Sequence, residues 1–337
     1  MSSLLRLGAN ESSFGVSPRA VAAMAAELPR LAWYGDPQSY ELREAVAAAH
    51  GCAFENISVG SGIDDLMGLA VRAFTAPGSI ALTTLGTYPT FAYHVAGYSA
   101  HLETVPYTAQ GSVDVHALAR RANEIQPAMV YVANPDNPSG SLLRPEEVAH
   151  LFERLPARTL LILDEAYADF APPDAAPVLP VHPRLLRLRT FSKAYGLAGA
   201  RIGYAIGHER NLQTFEKISL QYGVNRNAQV GALAALADRS FYRSVLDGVA
   251  AGREEYYALA QSLGCGFLRS HANFVCIDFG TRERAEQVLR ALLERGVFVR
   301  KPAAAPLDRF VRVSVGTPAE REAFARRLRE AVTDLAA

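Results

Sequence analysis

From Glu55 to about Arg210, short apolar runs rich in β-branched residues alternate with stretches of helical periodicity, the pattern of strand-helix units in a parallel sheet. The spacing predicts strands at Ile57–Val59, Ile80–Thr84, Leu102–Pro106, Met129–Ala133, Leu160–Asp164, Leu185–Arg189 and Ile202–Gly207. Helices are predicted between them at Asp64–Phe74, Tyr88–Ala96, Asp114–Ile125 and Pro145–Leu155. Pro145 suits a first helical turn, where its missing N–H costs nothing. The sheet implied is at least seven strands wide.

Beyond Glu209 the pattern turns helical, at Leu212–Leu220, Ala228–Leu236 and a long stretch, Phe241–Leu263, that would join two lobes. Strands predicted at Phe274–Asp278, Val297–Arg300 and Val311–Val315 then alternate with helices at Glu283–Glu294 and Ala319–Leu335, which makes a smaller α/β lobe. Helical content at Pro18–Leu28 and Glu41–His50 fits an N-terminal arm that completes this lobe. The expected division is therefore an arm and part of the small domain over residues 1–53, a large domain over 54–240, and a linking helix with the small domain over 241–337. The proline-rich stretch 171–177 reads as a loop only.

Composition narrows the class. Of 337 residues, 50% are hydrophobic and 20% charged, and 34 Lys+Arg balance 34 Asp+Glu to a net charge of +0. Such a chain folds around a sizeable core and has no basic field for nucleic acid. Its longest apolar runs, such as Thr159–Leu163 and Ala232–Ala237, fall far short of the roughly 20 residues that span a bilayer, so no membrane partner is expected. The apolar block Leu4–Leu7 is too short for a signal-peptide core, and the expected location is the cytoplasm. Cys52, Cys265 and Cys276 are widely spaced and read as reduced core thiols, and no metal motif is present.

Three segments carry chemistry. Thr190-Phe191-Ser192-Lys193 opens a run through Gly196 and Gly199 to Arg201, between two predicted strands. Lys193 is either a solvated loop residue or, if desolvated, an amine able to hold a carbonyl cofactor as a Schiff base, with Thr190, Ser192 and Arg201 binding an anionic group on that cofactor. Asp164 ends a buried strand, at the sheet edge where open parallel sheets bind ligands. It either caps the next element or pairs with a pyridine nitrogen. Asn137, in Asn134-Pro135-Asp136-Asn137-Pro138-Ser139-Gly140, is either a turn residue or a donor to a ring oxygen. A weaker signal is Gly60-Ser61-Gly62-Ile63-Asp64, a glycine turn before a helix, where free amides and the helix dipole favour an anion. Arg312 lies within an apolar strand and needs an anionic partner, for which a carboxylate is the natural mate.

Together these segments resemble the fold-type I pyridoxal-phosphate aminotransferases, and among them the histidinol-phosphate aminotransferase group, nearly end to end from Asn10-Glu11 to Arg312–Thr317. The resemblance implies an α/β fold: a three-layer α/β/α large domain with a mostly parallel seven-stranded sheet, plus a smaller α/β domain. It implies pyridoxal 5'-phosphate as cofactor, held as a Schiff base by Lys193, with Asp164 on the pyridine nitrogen and Asn137 and Tyr167 at the ring hydroxyl. Gly62, Ile63 and Asp64 belong to a similar glycine-rich turn whose amides hold the phosphate, although the family often has a small residue where this chain has Ile63; Thr190, Ser192 and Arg201 match the remaining phosphate ligands, and Tyr88 the aromatic that stacks on the ring. Tyr34 resembles a tyrosine that reaches the phosphate from a partner subunit, which implies a homodimer with shared sites. For the substrate, Arg312 matches the residue that binds the α-carboxylate, Arg300 lies towards the far end, expected to be the phosphorylated one in histidinol phosphate, and Asn10 belongs to a segment that closes over the pocket.

The activity implied is transamination between an amino donor, histidinol phosphate or a related amino acid, and 2-oxoglutarate. Threonine-phosphate decarboxylases and aromatic amino-acid aminotransferases share the lysine and aspartate and remain alternatives, with a non-enzymatic cofactor-binding regulator a remote one. Two departures bear on the substrate. The family commonly has Asn-Glu-Asn-Pro-Tyr-Gly where this chain has Asn10-Glu11-Ser12-Ser13-Phe14-Gly15, and Asp136 adds a negative charge that would disfavour a phosphorylated substrate if it pointed inward.

Overall fold

The computed structural model describes residues 4–175 and 179–335; Met1–Ser3 and residues 176 and 177 of the proline-rich loop lie outside the described residues. The N-terminal segment holds β1 (Leu5–Arg6), α1 (Pro18–Glu27) and α2 (Tyr40–His50). The large sheet is made by β2 (Ile57–Gly60), β3 (Ile80–Thr84), β4 (His101–Val105), β5 (Met129–Ala133), β6 (Leu160–Asp164), β7 (Leu185–Thr190) and β8 (Gly203–Gly207). Its first crossovers are α3 (Ile63–Phe74), α4 (Thr90–Gly97), α5 (Val115–Ile125) and α6 (Pro145–Arg154). After α7 (Glu209–Glu216), α8 (Arg226–Ala237) and α9 (Arg239–Ser262) come β9 (Gly266–Leu268), β10 (Phe274–Asp278), α10 (Arg282–Glu294), β11 (Val297–Phe298), β12 (Phe310–Ser314) and α11 (Pro318–Asp334).

The seven strands run in the order β2-β8-β7-β6-β5-β3-β4, all parallel except β8, which is antiparallel to both neighbours. β5 and β6 are buried on both faces, as a parallel sheet covered on each side by helices requires. Alternate residues divide between two cores. Met129, Tyr131, Leu160 and Ile162 pack with Leu66, Met67, Phe91 and Phe215 from α3, α4 and α7. Val130, Val132, Leu161 and Leu163 face Leu118, Val148 and Leu151 from α5 and α6. This is the three-layer arrangement expected.

The smaller α/β part joins the chain's two ends. β1 pairs in parallel with β11, and the amide of Ser314 at the end of β12 donates to Leu7 O at 2.8 Å. β10 lies between β12 and β9, antiparallel to both. Helix starts are held by side chains in the usual way, Asp114 for α5, Asn225 for α8, Asp238 for α9 and the Thr317/Glu320 pair for α11.

Several elements differ from expectation. The helix predicted at Leu212–Leu220 is Glu209–Glu216, because His208 caps a polar first turn that apolar periodicity does not register. The predicted strand Val297–Arg300 is split: Val297–Phe298 pairs with β1, while Arg300 makes an isolated bridge to Arg312. β1 and β9 are too short to show a period of two. Cys276 is buried as expected, whereas Cys52 and Cys265 are half-buried, and all three are unpaired. No helix of the described residues is long and apolar enough to cross a membrane.

Candidate active site

The carboxyl ends of β5, β6 and β7 and the start of α3 meet around one cavity of about 240 Å³. Asp164, the last residue of β6, is 4% exposed and lines it. Tyr131 donates its hydroxyl to Oδ2 at 2.7 Å and the Ala166 amide donates to Oδ1 at 2.9 Å. Burial pushes the Asp164 carboxyl up to about 6.

Lys193 lies just beyond β7, in the same cavity wall. Its Nζ donates to Asn10 O at 3.1 Å and lies 5.5 Å from the Tyr167 ring centroid. Burial, with the nearby Arg312 charge, lowers the amine to about 8. Before it, Thr190 Oγ1 accepts from the Ser192 amide at 3.0 Å and donates to Ser192 Oγ at 2.9 Å, so both hydroxyls are fixed at the cavity wall.

Like α2 and α4, α3 starts without a side-chain cap. It begins at Gly62, with φ +90°. Ile63 and Asp64 of its first turn line the cavity, so uncapped helix amides adjoin it. A Cβ on Gly62 would lie 2.6 Å from Arg201 Nη2, so only glycine lets this guanidinium close on the turn. Arg201 donates to Ala198 O and stands 3.7 Å from Asp64. Tyr88 donates to Asp64 Oδ1 at 3.1 Å, and burial raises its hydroxyl to about 12.

Tyr167 closes another side. Its oxygen accepts from Asn10 Nδ2 at 2.9 Å and Asn137 Nδ2 at 3.4 Å, and burial raises its hydroxyl to about 12. Asn137 Oδ1 in turn accepts from Arg312, which also donates to Gly8 O at 3.1 Å. The Arg312 Nε is buried with no hydrogen-bond partner, the guanidinium lies over Phe274, and burial lowers its pKa.

The fold thus gathers Ile63, Asp64, Tyr88, Asn137, Asp164, Tyr167, Thr190, Ser192, Lys193 and Arg201 at one cavity, with Gly62 behind Arg201. Four expected residues stand elsewhere. Asn10 is buried with its side chain committed to Tyr167 and Ser314, so it shapes the site rather than presenting a free amide. Arg312 lies behind Asn137. Arg300 is exposed, its guanidinium 5.6 Å from the Phe298 ring and its backbone bridged to Arg312. Tyr34 is 77% exposed, stacked on Tyr222 with ring centroids 4.5 Å apart.

Asp136 does not point inward. Its carboxylate accepts from Tyr107, from Thr87 and from the amide and hydroxyl of Ser139, inside the Asn134–Gly140 turn. These donors explain how a charged residue is accommodated there, and the expected repulsion of a phosphorylated substrate falls away. Sequence reasoning missed Tyr131. The available signal was a tyrosine inside an otherwise apolar strand, whose hydroxyl must find a partner when buried. It also missed Ser314 and Asn273, which hold Asn10. Among the described residues no cluster of His, Cys, Asp and Glu is arranged for a metal.

Residues 2–328 match the family model of aminotransferase class I and II. The chain is 34% identical over 326 residues to a histidinol-phosphate aminotransferase of Geobacillus thermodenitrificans, covering 96% of this chain and 88% of that protein. The solved histidinol-phosphate aminotransferase of Sinorhizobium meliloti, in complex with pyridoxal-5'-phosphate, is 40% identical with a TM-score of 0.95, covering 98% of this chain and 91% of that one. The L-threonine-O-3-phosphate decarboxylase of Porphyromonas gingivalis, 20% identical with a TM-score of 0.80 over 98% and 99% of the two chains, shares the fold. With this match over nearly its whole length, and a lysine, a buried carboxylate and an uncapped helix start at one cavity, the chain belongs to the class I and II aminotransferases.

Proposed function

We propose that this aminotransferase uses pyridoxal 5'-phosphate to transfer an amino group from histidinol phosphate to 2-oxoglutarate. The carrying observation is the single cavity in which the Lys193 amine, the Asp164 carboxylate and an anion cradle meet. The residues fit the cofactor. The uncapped start of α3, the Thr190 and Ser192 hydroxyls and Arg201 suit a phosphate; Asp164 suits a protonated ring nitrogen; Asn137 and Tyr167 suit a ring hydroxyl; Tyr88 offers an aromatic face. When bound, pyridoxal phosphate supplies a carbonyl that an amine can condense with and a ring that withdraws electrons from the substrate's amino-bearing carbon.

The chain's own residues do the rest. Lys193, with its amine lowered to about 8, is partly neutral near pH 8 and can attack a carbonyl. With cofactor and substrate in place, the same Nζ would act as general base and then general acid for the proton of the substrate's amino-bearing carbon. Asp164 keeps a proton at the ring nitrogen, and Ile63 and Ala133 supply apolar wall that excludes water. The same residues would serve the return half with the keto acid.

Substrate choice rests on Arg312 and Arg300. Histidinol phosphate carries a phosphate ester where an amino acid carries its carboxylate, so the donor's phosphate and the acceptor's carboxylate occupy the same end of the site. The division expected from sequence, Arg312 for the carboxylate and Arg300 for a distal phosphate, therefore gives way to one shared anion locus. Two arginines whose backbones are bridged, one with a buried unpartnered Nε, suit a phosphate dianion as well as a carboxylate. The decarboxylase alternative rests on likeness of fold alone.

A homodimer is proposed from Tyr34. An exposed Tyr34–Tyr222 stack beside the exposed Trp33 and Leu220 suits a face covered by a second copy. Three unpaired thiols suit a reducing compartment, which supports the cytoplasmic expectation. The test is a panel of glutamate, histidinol phosphate, aromatic amino acids and threonine phosphate, read by cofactor absorbance in single half-reactions. Rapid conversion by histidinol phosphate supports the reading. Conversion by aromatic amino acids with none by histidinol phosphate would replace it.

A further inference from the structure

We infer that Tyr131 is a positioning residue that aims the Asp164 carboxylate at the cofactor's ring nitrogen and keeps it ionised. The inference rests on the reading of Asp164 proposed above. Tyr131 is fully buried in β5, adjacent to β6, and is not part of the cavity lining, so it acts through Asp164. Its ring stacks on Phe91, centroids 4.7 Å apart and planes 13° from parallel, which fixes the direction of its hydroxyl. The hydroxyl donates to Asp164 Oδ2 while the Ala166 amide donates to Oδ1. Each carboxylate oxygen is thus held by one donor, and the carboxylate lines the cavity with its remaining acceptor capacity.

A buried carboxylate loses hydration, and here two groups face it with opposite effect: the Asp64 charge disfavours ionisation and the Lys193 ammonium favours it. Both of these belong to the proposed cofactor site, so their influence on the carboxylate depends on what the cavity holds. Tyr131 lies behind the carboxylate, and its donation does not depend on what the cavity holds.

The first measurement uses apoenzyme. The infrared band of the protonated Asp164 carboxyl, identified by its loss in Asp164→Asn, is followed against pH. In Tyr131→Phe, which keeps the ring and its stack on Phe91, the midpoint should rise by about one to two pH units, the size of a hydrogen bond to a charged group. Tyr131→Leu is the second variant, should Phe fail to fold, and should shift the midpoint in the same direction. The second measurement compares binding of pyridoxal phosphate with that of its 1-deaza analogue, which lacks the ring nitrogen. Loss of the hydroxyl should weaken pyridoxal phosphate about threefold to tenfold and leave the analogue within about twofold. An unmoved midpoint, or equal weakening of both ligands, would overturn the inference. If wild-type protein binds neither ligand, the reading of the site falls, and the apoenzyme titration still decides the role of Tyr131.

Discussion

The Nζ of Lys193 donates to the backbone carbonyl of Asn10 at 3.1 Å, across 183 residues of chain. Asn10 holds a positive φ of 54° and is pinned by Ser314 and Asn273, so the N-terminal segment forms a fixed roof over the amine. The same residue's side-chain amide donates to Tyr167. One buried residue therefore ties the proposed reactive amine to the proposed ring-hydroxyl contact and to β12, the strand of Arg312.

That amine should be identifiable without ambiguity, because the chain has three lysines, Lys193, Lys217 and Lys301. Borohydride reduction of the loaded enzyme followed by peptide mapping should put the pyridoxyl group on Lys193. Label on either of the others, or none, would end the assignment. With its amine lowered from 10.5 to about 8, the neutral form grows as pH rises. The rate of cofactor loading by apoenzyme should climb with pH and level off just above 8; a plateau near 10 would mean an unperturbed lysine.

Asp164→Asn should retain cofactor but transaminate about 100-fold more slowly, since the ring nitrogen loses its ionic partner. Near-normal turnover would contradict the role. The apoenzyme gives a separate test. A carboxyl raised from 3.8 to about 6 favours the folded state most below pH 4, and that contribution is lost as pH rises through 6. Apo Asp164→Asn should therefore be more stable than wild type at pH 8, by up to about 3 kcal/mol, with the gap closing below pH 4. Thermal melts at the two pH values read the difference.

Gly62→Ala should act on the phosphate cradle. The substitution is strained at φ +90° and drives a methyl to 2.6 Å from Arg201 Nη2, so the guanidinium must move. The expected result is a fold weakened by about 1 kcal/mol or more, with cofactor binding weakened about tenfold or more. Equilibrium dialysis with pyridoxal phosphate measures it, and unchanged affinity would remove Arg201 from the cradle.

Arg312→Ala should weaken every anionic substrate together, by roughly 2–5 kcal/mol, because it removes a buried cation whose Nε has no other partner. Arg300 is exposed and should matter most where the ligand is a dianion. Arg300→Ala should raise KM for histidinol phosphate much more than for glutamate. A uniform loss would mean that Arg300 acts through its bridge to Arg312 instead.

Much of this molecule is decided by local order. The strands at Ile80–Thr84, Met129–Ala133 and Leu160–Asp164 match their predicted bounds, since parallel strands buried on both faces must be continuous apolar runs ended by turn chemistry. Asp164 and Asn137 were legible for a related reason: each ends or follows such a run, and Lys193 follows β7, whose end lies at the same carboxyl edge of the sheet. What tertiary structure alone decided depends on side-chain direction and on contacts between distant segments. Asp136 and Asn137 are neighbours in sequence, yet one turns into the loop and the other into the cavity. Arg300 and Arg312 meet only through a bridge between separate segments, and Asn10 is held against Lys193 by Ser314 and Asn273, both far from it in sequence. Hydrophobic periodicity records which face of an element is buried; it carries no record of which distant polar group will satisfy a buried one.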